Sequence, residues 1–342
     1  MFMIKKLLSP ILYYSGIYRK QWQRAAESSN LLLVLTYHRI VETEADNVGL
    51  FGVERGIPVS VFEAHLRFLL KHFSPVHPDG INDFIQSGTG NIGFLITFDD
   101  GYEDNYSLAA PVLEKYGLSA VFFVCSDFLD VPDPFWWEKV SYIIKNTRKS
   151  QLTLPSPLDS DNSSVDVGTE HQKIDTYERL CALIKQLPQT QVAGVIDQLA
   201  TQAAVDLADC QRTLPLISKI QLCDLVQRGF VVGGHTATHA NLSLITEEES
   251  DKEIAKALDQ LEGIISRPVT LFAYPYGNKN EKIRDELESR GMAGIFTCDK
   301  YIHRRGQSGR EIPRFTLQKP WFFACAYSFH KVLVQTLSAG KK

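Results

Sequence analysis

Thiols are few and poorly spaced for joint work. Six cysteines occur in 342 residues and none forms a short pair, so neither a disulfide framework nor a thiolate metal site is indicated, and a reducing compartment is slightly favoured. A membrane-spanning run is missing as well: Leu7 to Tyr14 is too short, and too interrupted by Ser9 and Pro10, to cross a bilayer. No small-residue cleavage site follows it, which excludes an evident cleavable signal peptide. Neither sign of charge dominates, with 36 basic against 40 acidic residues and a net charge of -4, so no global field exists for nucleic acid and no nucleic-acid partner is expected. Internal repeats beyond a strand and helix alternation are absent.

What is present is a chain long enough, at 44% hydrophobic composition, for one large core with an accessory segment. Strand-like apolar runs recur at Leu31 to Tyr37, Gly93 to Phe98, Ala120 to Cys125, Phe230 to Gly234, Val269 to Ala273 and Gly294 to Thr297. Helical patterns alternate with them. Ser60 with Glu63, and Thr246 with Glu249, read as capping boxes; Asn280 starts a further helix that Gly291 ends. This alternation predicts an α/β fold with a parallel sheet closed as a TIM-like, incomplete barrel, whose reactive residues gather at the carboxyl ends of strands. Between 130 and 216 the pattern breaks. The Pro155 to Ser164 stretch reads as a loop, while Tyr177 to Leu187 and Val192 to Ala203 read as helices of a lid-like insertion.

Two motifs carry chemistry. Thr97-Phe98-Asp99-Asp100-Gly101-Tyr102 ends an apolar run and delivers adjacent carboxylates to a turn that Gly101 permits. Burying two neighbouring carboxylates costs roughly several kcal/mol unless a cation, proton or donor compensates, so the pair predicts such a partner. His235-Thr236-Ala237-Thr238-His239 follows another apolar run and spaces two imidazoles as on one helical turn. One oxygen and two nitrogen ligands then leave a coordination position open, as catalytic zinc requires. His65, His72, His77, His171, His303 and His330 read instead as ordinary core or surface imidazoles.

These stretches, with Phe272-Ala273-Tyr274-Pro275-Tyr276-Gly277, resemble the first three motifs of the polysaccharide deacetylases, the NodB-homology or carbohydrate esterase family 4 domains. The resemblance runs from about Leu31 to Leu317 and implies a seven-stranded barrel domain over 29–320 with the insertion 130–216, an amphipathic basic segment at 1–28 and a tail at 321–342. It implies Asp99 as general base and Asp100, His235 and His239 as ligands of a divalent metal, zinc first, with cobalt or nickel accepted by the same set. It also implies the Tyr102 amide as oxyanion donor, with Tyr274, Pro275 and Tyr276 on the sugar side; in the insertion, Trp136 or Trp137 reads as a ring that stacks on a pyranose, Trp137 being the one chosen. Two departures stand out. Many members begin the third motif with an arginine that orients the base, where this chain has Ala273; Arg314 is the replacement read from Ile312-Pro313-Arg314-Phe315. The C-terminal Leu-x-His acid of many members is unmatched by Ala326 to His330. His38, after Tyr37, fits the place of the acid in the branch resembling the poly-N-acetylglucosamine and exopolysaccharide deacetylases.

The expected function is hydrolytic removal of acetyl from an N-acetylated glycan or lipid-linked saccharide. An O-acetyl esterase uses the same groups, and a catalytically impaired saccharide binder is a further alternative. Two histidines and one carboxylate also form the facial triad of iron oxygenases, but a second carboxylate beside the ligand argues against that use. Lys5, Lys6, Arg19, Lys20 and Arg24 flank the N-terminal apolar residues, which is compatible with peripheral contact of residues 1–24 with an anionic membrane. A location in the cytoplasm or peripheral at the inner membrane face is expected.

Overall fold

The computed structural model describes residues 9–27, 30–47, 51–52, 55–88, 90–131, 133–159, 163–210, 214–304, 311–317 and 322–339. Lys5 and Lys6, read above as part of a basic segment, lie outside them. The sheet is built from β1 (Leu31–Tyr37), β2 (Ile92–Phe98), β3 (Ala120–Val124), β4 (Val231–Gly234), β5 (Leu271–Ala273), β6 (Gly294–Thr297), the short antiparallel β7 (His303–Arg304) and β8 (Glu311–Pro313). Their order is β7-β1-β2-β3-β4-β5-β6-β8, and every neighbouring pair except β7 with β1 is parallel. Closure comes just past β8, where Phe315 bridges Leu35 and exchanges backbone hydrogen bonds with Val34 and Thr36. Seven parallel strands therefore close into a barrel through a single bridge, the incomplete barrel that the alternation predicts.

Continuous apolar runs suit this sheet because both faces are covered. Successive side chains point to opposite faces, and the core divides accordingly. Leu32, Val34, Leu95, Val121, Phe123, Leu271, Ala273, Phe296 and Ile312 fill the interior. Leu33, Leu35, Tyr37, Phe94, Ile96, Phe98, Phe122, Phe272 and Tyr274 meet the surrounding helices.

The helices include α1 (Ser9–Tyr14), α2 (Ile17–Ala26), α3 (Val59–His72), α4 (Ala110–Lys115), α5 (Trp136–Asn146), α6 (Glu170–Ile184), α7 (Gln189–Ala203), α8 (Lys219–Gln227), α9 (Glu247–Ile265), α10 (Glu281–Ser289) and α11 (Phe322–Ala339), with a further short helix at Ile81–Gln86. Thr246 and Glu249 form the expected reciprocal cap of α9, and Asn280 caps α10. The Ser60 cap does not form. Helix α3 starts at Val59 behind Pro58, whose fixed φ already suits a helix entrance, and Glu63 is drawn off to Lys115 and Tyr116, each at 2.7 Å. The C-terminal stretch read as a tail is the helix α11, held against α2 by Phe329 on Trp22 at 5.0 Å and His330 on Tyr18 at 4.6 Å between ring centroids.

The insertion has its own core, with Phe135, Trp137, Tyr177, Leu180, Val195 and Leu199 buried among α5, α6 and α7. Helix α6 begins seven residues ahead of the expected Tyr177, because Thr169 and Gln172 form a capping box there. The segment joins the barrel where Tyr102 bridges Leu216. No helix among the described residues is long and apolar enough to cross a membrane.

His303 sits in β7 opposite Leu32, and burial pushes its imidazole down to about 4. The folded chain thus binds fewer protons at this site than the unfolded chain between about 4 and about 6.5, so this contribution to stability is intact above that window and lost as pH falls through it, by up to about 3 kcal/mol. Urea unfolding of His303→Leu at pH 7 and pH 5 is expected to show a smaller loss across that interval than the parent. An equal loss in both would contradict the assignment.

Candidate active site

The turn after β2 is where the two carboxylates part company. Asp99 donates its amide to the Tyr37 carbonyl, continuing the sheet. Asp100 then takes φ of 71° and Gly101 φ of 81°. Glycine adopts such a conformation freely, whereas at an aspartate it costs roughly 1–3 kcal/mol and persists only where the surroundings impose it. Of the seven non-glycine residues with positive φ among the described residues, four are Asp100, Thr236, His239 and Tyr276, so most of this strain is concentrated at one place.

That place joins Asp100 to the histidine segment. Its Oδ1 lies 3.5 Å from His235 Nε2 and 3.3 Å from His239 Nε2, and all three side chains are buried with ligand atoms within 4.8 Å of one another. This oxygen makes no hydrogen bond, although a buried, orphaned carboxylate oxygen is costly. Burial alone would raise the Asp100 pKa, but the two imidazoles hold it well below the usual carboxylate range. An oxygen without a donor facing two nitrogens is the arrangement a divalent cation completes, and the residues fit such an ion.

The two histidines do not share a helical turn, contrary to their spacing. His235 ends β4 by donating its amide to Val124, and the next residues form an irregular loop with φ of 60° at Thr236 and 58° at His239. The His235 carbonyl, which a helical turn would use, is met instead by Cys125 Sγ at 3.3 Å, and the loop is held from outside. Glu253 of α9 accepts from Ala237 N at 3.1 Å, Thr238 N at 3.0 Å and Thr238 Oγ1 at 2.9 Å. The ring nitrogens facing away from Asp100 are also held. His235 Nδ1 donates to the Ala273 carbonyl at 2.8 Å, and His239 Nδ1 lies 3.0 Å from Tyr276 Oη, which accepts from Trp136 Nε1 at 3.0 Å. A donor at Nδ1 leaves Nε2 of neutral His235 as the free lone pair, which is how such partners fix a metal-binding tautomer. Sequence reasoning missed Glu253, which reads as an ordinary helix carboxylate. It also missed the Ala273 carbonyl, which has no side-chain signature.

Asp99 is held from the other side. Arg314 Nη1 and Nη2 donate to its two oxygens at 2.6 and 2.9 Å, a bidentate pair of the stronger kind. The guanidinium also reaches Thr97 Oγ1 at 3.2 Å and the Thr297 carbonyl at 3.3 Å, and lies over Phe123 and Phe296 in the barrel interior. Burial pushes the Asp99 pKa up, and Arg314 together with the His235 and His38 imidazoles more than offsets it, so the net shift is downward. The arginine missing before Tyr274 is thus replaced in space from β8, and it is fully buried rather than a solvated surface charge.

His38 borders the same cavity of about 480 Å³ as Asp99, Asp100, His235 and His239. Its carbonyl accepts from Asn105 at 2.8 Å, while Arg39 and the Ile40 amide bind Asp104 at 2.8 and 3.1 Å, tying the end of β1 to the segment after β2. At Tyr102 the bridge to Leu216 uses the neighbouring Gly101 carbonyl and Glu103 amide, and the ring is buried with its hydroxyl accepting from Trp137 at 3.1 Å. Of the residues expected on the sugar side, Tyr276 and Trp137 line the cavity. Phe135 stacks on one face of Trp137 at 4.4 Å, so that face is taken and a pyranose has only the other side of the ring. Tyr274 borders the cavity, but its ring is fully buried in the outer layer near Phe272. Pro275 is buried in the following turn and does not line the cavity. The six histidines read as ordinary lie outside the metal-type cluster.

The class these features define is a parallel barrel domain with a buried carboxylate and imidazole site at the ends of its strands. The sequence model of the polysaccharide deacetylase family matches residues 87–147 and 173–295, more than half of the chain, and the chain belongs to that family. The unmatched residues between those ranges contain the strand pair Gln151–Thr153 and Ser164–Asp166 of the insertion. YxkH of Bacillus subtilis (strain 168), named for the same family, is 21% identical over 270 residues, covering 78% of this chain; the chain spans 64% of that relative's length. Among solved structures, IcaB from Ammonifex degensii matches with a TM-score of 0.56 and 18% identity over 87% of this chain and 97% of that one. A de-N-acetylase from Aggregatibacter actinomycetemcomitans matches with a TM-score of 0.55 and 17% identity over 87% and 99%. At these identities the structural matches speak for the barrel fold.

Removing the clamp on the histidine loop tests its purpose. Glu253→Ala is expected to weaken zinc affinity roughly 10–100-fold with little change in thermal stability, measured by competition against a chromophoric chelator. Unchanged affinity would reduce Glu253 to an ordinary loop contact.

Proposed function

We propose that the chain is a divalent-metal-dependent N-deacetylase acting on an N-acetylated sugar of a glycan or lipid-linked saccharide. The observation that carries this reading is the juxtaposition of an orphaned Asp100 oxygen between two imidazoles with an ionised, arginine-held Asp99, on one cavity. Asp100, His235 and His239 would hold the ion, zinc first, with cobalt or nickel as alternatives; when bound it polarises a carbonyl oxygen and lowers the pKa of water.

The protein's own groups do the rest. Asp99, kept as a carboxylate by Arg314, takes a proton from the attacking water. Arg314 is a positioning residue, because it reaches the reaction only through Asp99. The Tyr102 amide serves as donor to the oxygen on which negative charge grows. His38 gives a proton to the departing nitrogen, since an unprotonated amine leaves poorly, and the products are acetate and a free amino sugar. Tyr276 steers His239, and the saccharide-binder alternative loses its main motive, because the partner missing from the third motif is supplied by Arg314. We further propose peripheral membrane contact on the cytoplasmic side; support comes from Ile11 and Tyr14, 63% and 76% exposed, beside Arg19 and Lys20.

Asp99→Asn is expected to lower acetate release from N-acetylglucosamine oligomers by roughly 10²–10⁴ while leaving sugar binding in place. Chelation should silence the parent and zinc should restore it. Comparison with acetylated xylan separates amide from ester chemistry: faster release from xylan would favour an O-acetyl esterase. Turnover unaffected by both Asp99→Asn and chelation would overturn the proposal.

A further inference from the structure

The insertion supplies one wall of the catalytic cavity. Tyr177, Glu178, Cys181, Ala182 and Lys185 all line it, at the spacing that puts residues on one face of a helix. Helix α6 is fastened to the barrel rim at both ends of that face. At one end Tyr177 packs on the segment after β1, its ring 5.4 Å from Phe51 and so close to Gly52 that a Cβ there would lie 2.6 Å from Tyr177 Cε1. At the other, the Lys185 carbonyl accepts from Asn241 at 3.1 Å, in the loop that carries His239, while Lys185 Nζ lies 5.4 Å over the Tyr276 ring. The helix thus crosses the mouth from the β1 side to the β4 side as a built wall.

A wall so placed limits what can enter. The cavity of about 480 Å³ lies in the lower part of the range of roughly 300–1,000 Å³ usual for small-ligand sites. That is room for an N-acetylated pyranose and part of its neighbour. Apart from Asp99, Asp100 and the histidines, the lining combines the aromatic side chains of Trp137, Tyr177 and Tyr276 with the carboxylate of Glu178 and the ammonium of Lys185, a mixture suited to the apolar faces and hydroxyls of one sugar.

We propose that α6 makes this a terminal-unit site: its ligand is the end sugar of an N-acetylated glycan, a short oligosaccharide or a chain terminus, and interior units of a polymer are excluded. Glu178 and Lys185 take hydroxyls of that sugar and set specificity. The reading rests on the deacetylase proposal for its chemistry and on the cavity alone for its binding.

Two measurements on the full chain test it. β-linked N-acetylglucosamine oligomers of increasing length are incubated with the zinc-loaded protein, and each new amine is located by tandem mass spectrometry. One amine per chain, at a terminal unit, with kcat/KM per chain independent of length, is expected; amines spread over interior units, with rate growing in proportion to length, would overturn the proposal. Binding is read separately by saturation-transfer NMR, using oligomers with N-methylsulfonyl in place of N-acetyl, which hydrolysis cannot cleave. Transfer concentrated on one terminal unit, weakened about tenfold in affinity by Lys185→Ala and by Glu178→Gln, supports it. Transfer distributed along the chain, no binding, or affinities untouched by both substitutions would overturn it. A protein that releases no acetate yet grips the analogue by its end would defeat the deacetylase reading and leave this one standing.

Discussion

Two adjacent buried carboxylates are the constraint around which this molecule is arranged. Side by side in a dry turn they repel each other and resist ionisation, and each needs separate compensation. Asp99 finds a bidentate guanidinium in Arg314, and Asp100 finds two imidazoles and an open side suited to a cation. Left-handed Asp100 is what aims the two groups apart. The strain is tolerable because contacts on both sides impose the turn: Asp99 is gripped by Arg314, and the Gly101 carbonyl and Glu103 amide are bonded to Ile217 and Pro215.

The supporting contacts arrive from far along the chain. Glu253 of α9 gathers the histidine loop, the β5 carbonyl of Ala273 orients His235, and Tyr276, itself held by Trp136 of the insertion, orients His239. Tyr102 is packed into the insertion core through Trp137. The insertion is therefore a structural part of the site, because residues that aim a ligand and a backbone donor lean on it.

Much of the architecture was legible because it is local. Runs such as Leu31 to Tyr37 can only be strands buried on both faces, and caps such as Thr246 with Glu249 announce their helices. Legibility failed where tertiary contacts override local pattern. The spacing of His235 and His239 suggests a helical turn, but Cys125 meets the His235 carbonyl and Glu253 holds the Ala237 and Thr238 amides, and the segment is a loop. Ser60 and Glu63 spell a cap, yet Pro58 opens the helix and Lys115 with Tyr116 takes the glutamate. Arg314 was recognisable as a candidate partner only through family resemblance, since its separation from Asp99 in sequence carries no local signal. The wall made by α6 had no motif at all; only folding brings Tyr177 and Lys185 to the cavity.

The most direct test of the central claim is X-ray absorption spectroscopy of the protein loaded with one equivalent of zinc. Two imidazole nitrogens at about 2.0–2.1 Å and a shell completed by oxygen at about 2.0–2.2 Å, with the imidazole signature reduced to that of one ring in His235→Ala, is the result predicted. A sulfur shell at about 2.3 Å, implicating a cavity cysteine such as Cys298, or a spectrum unchanged by removing His235, would contradict it.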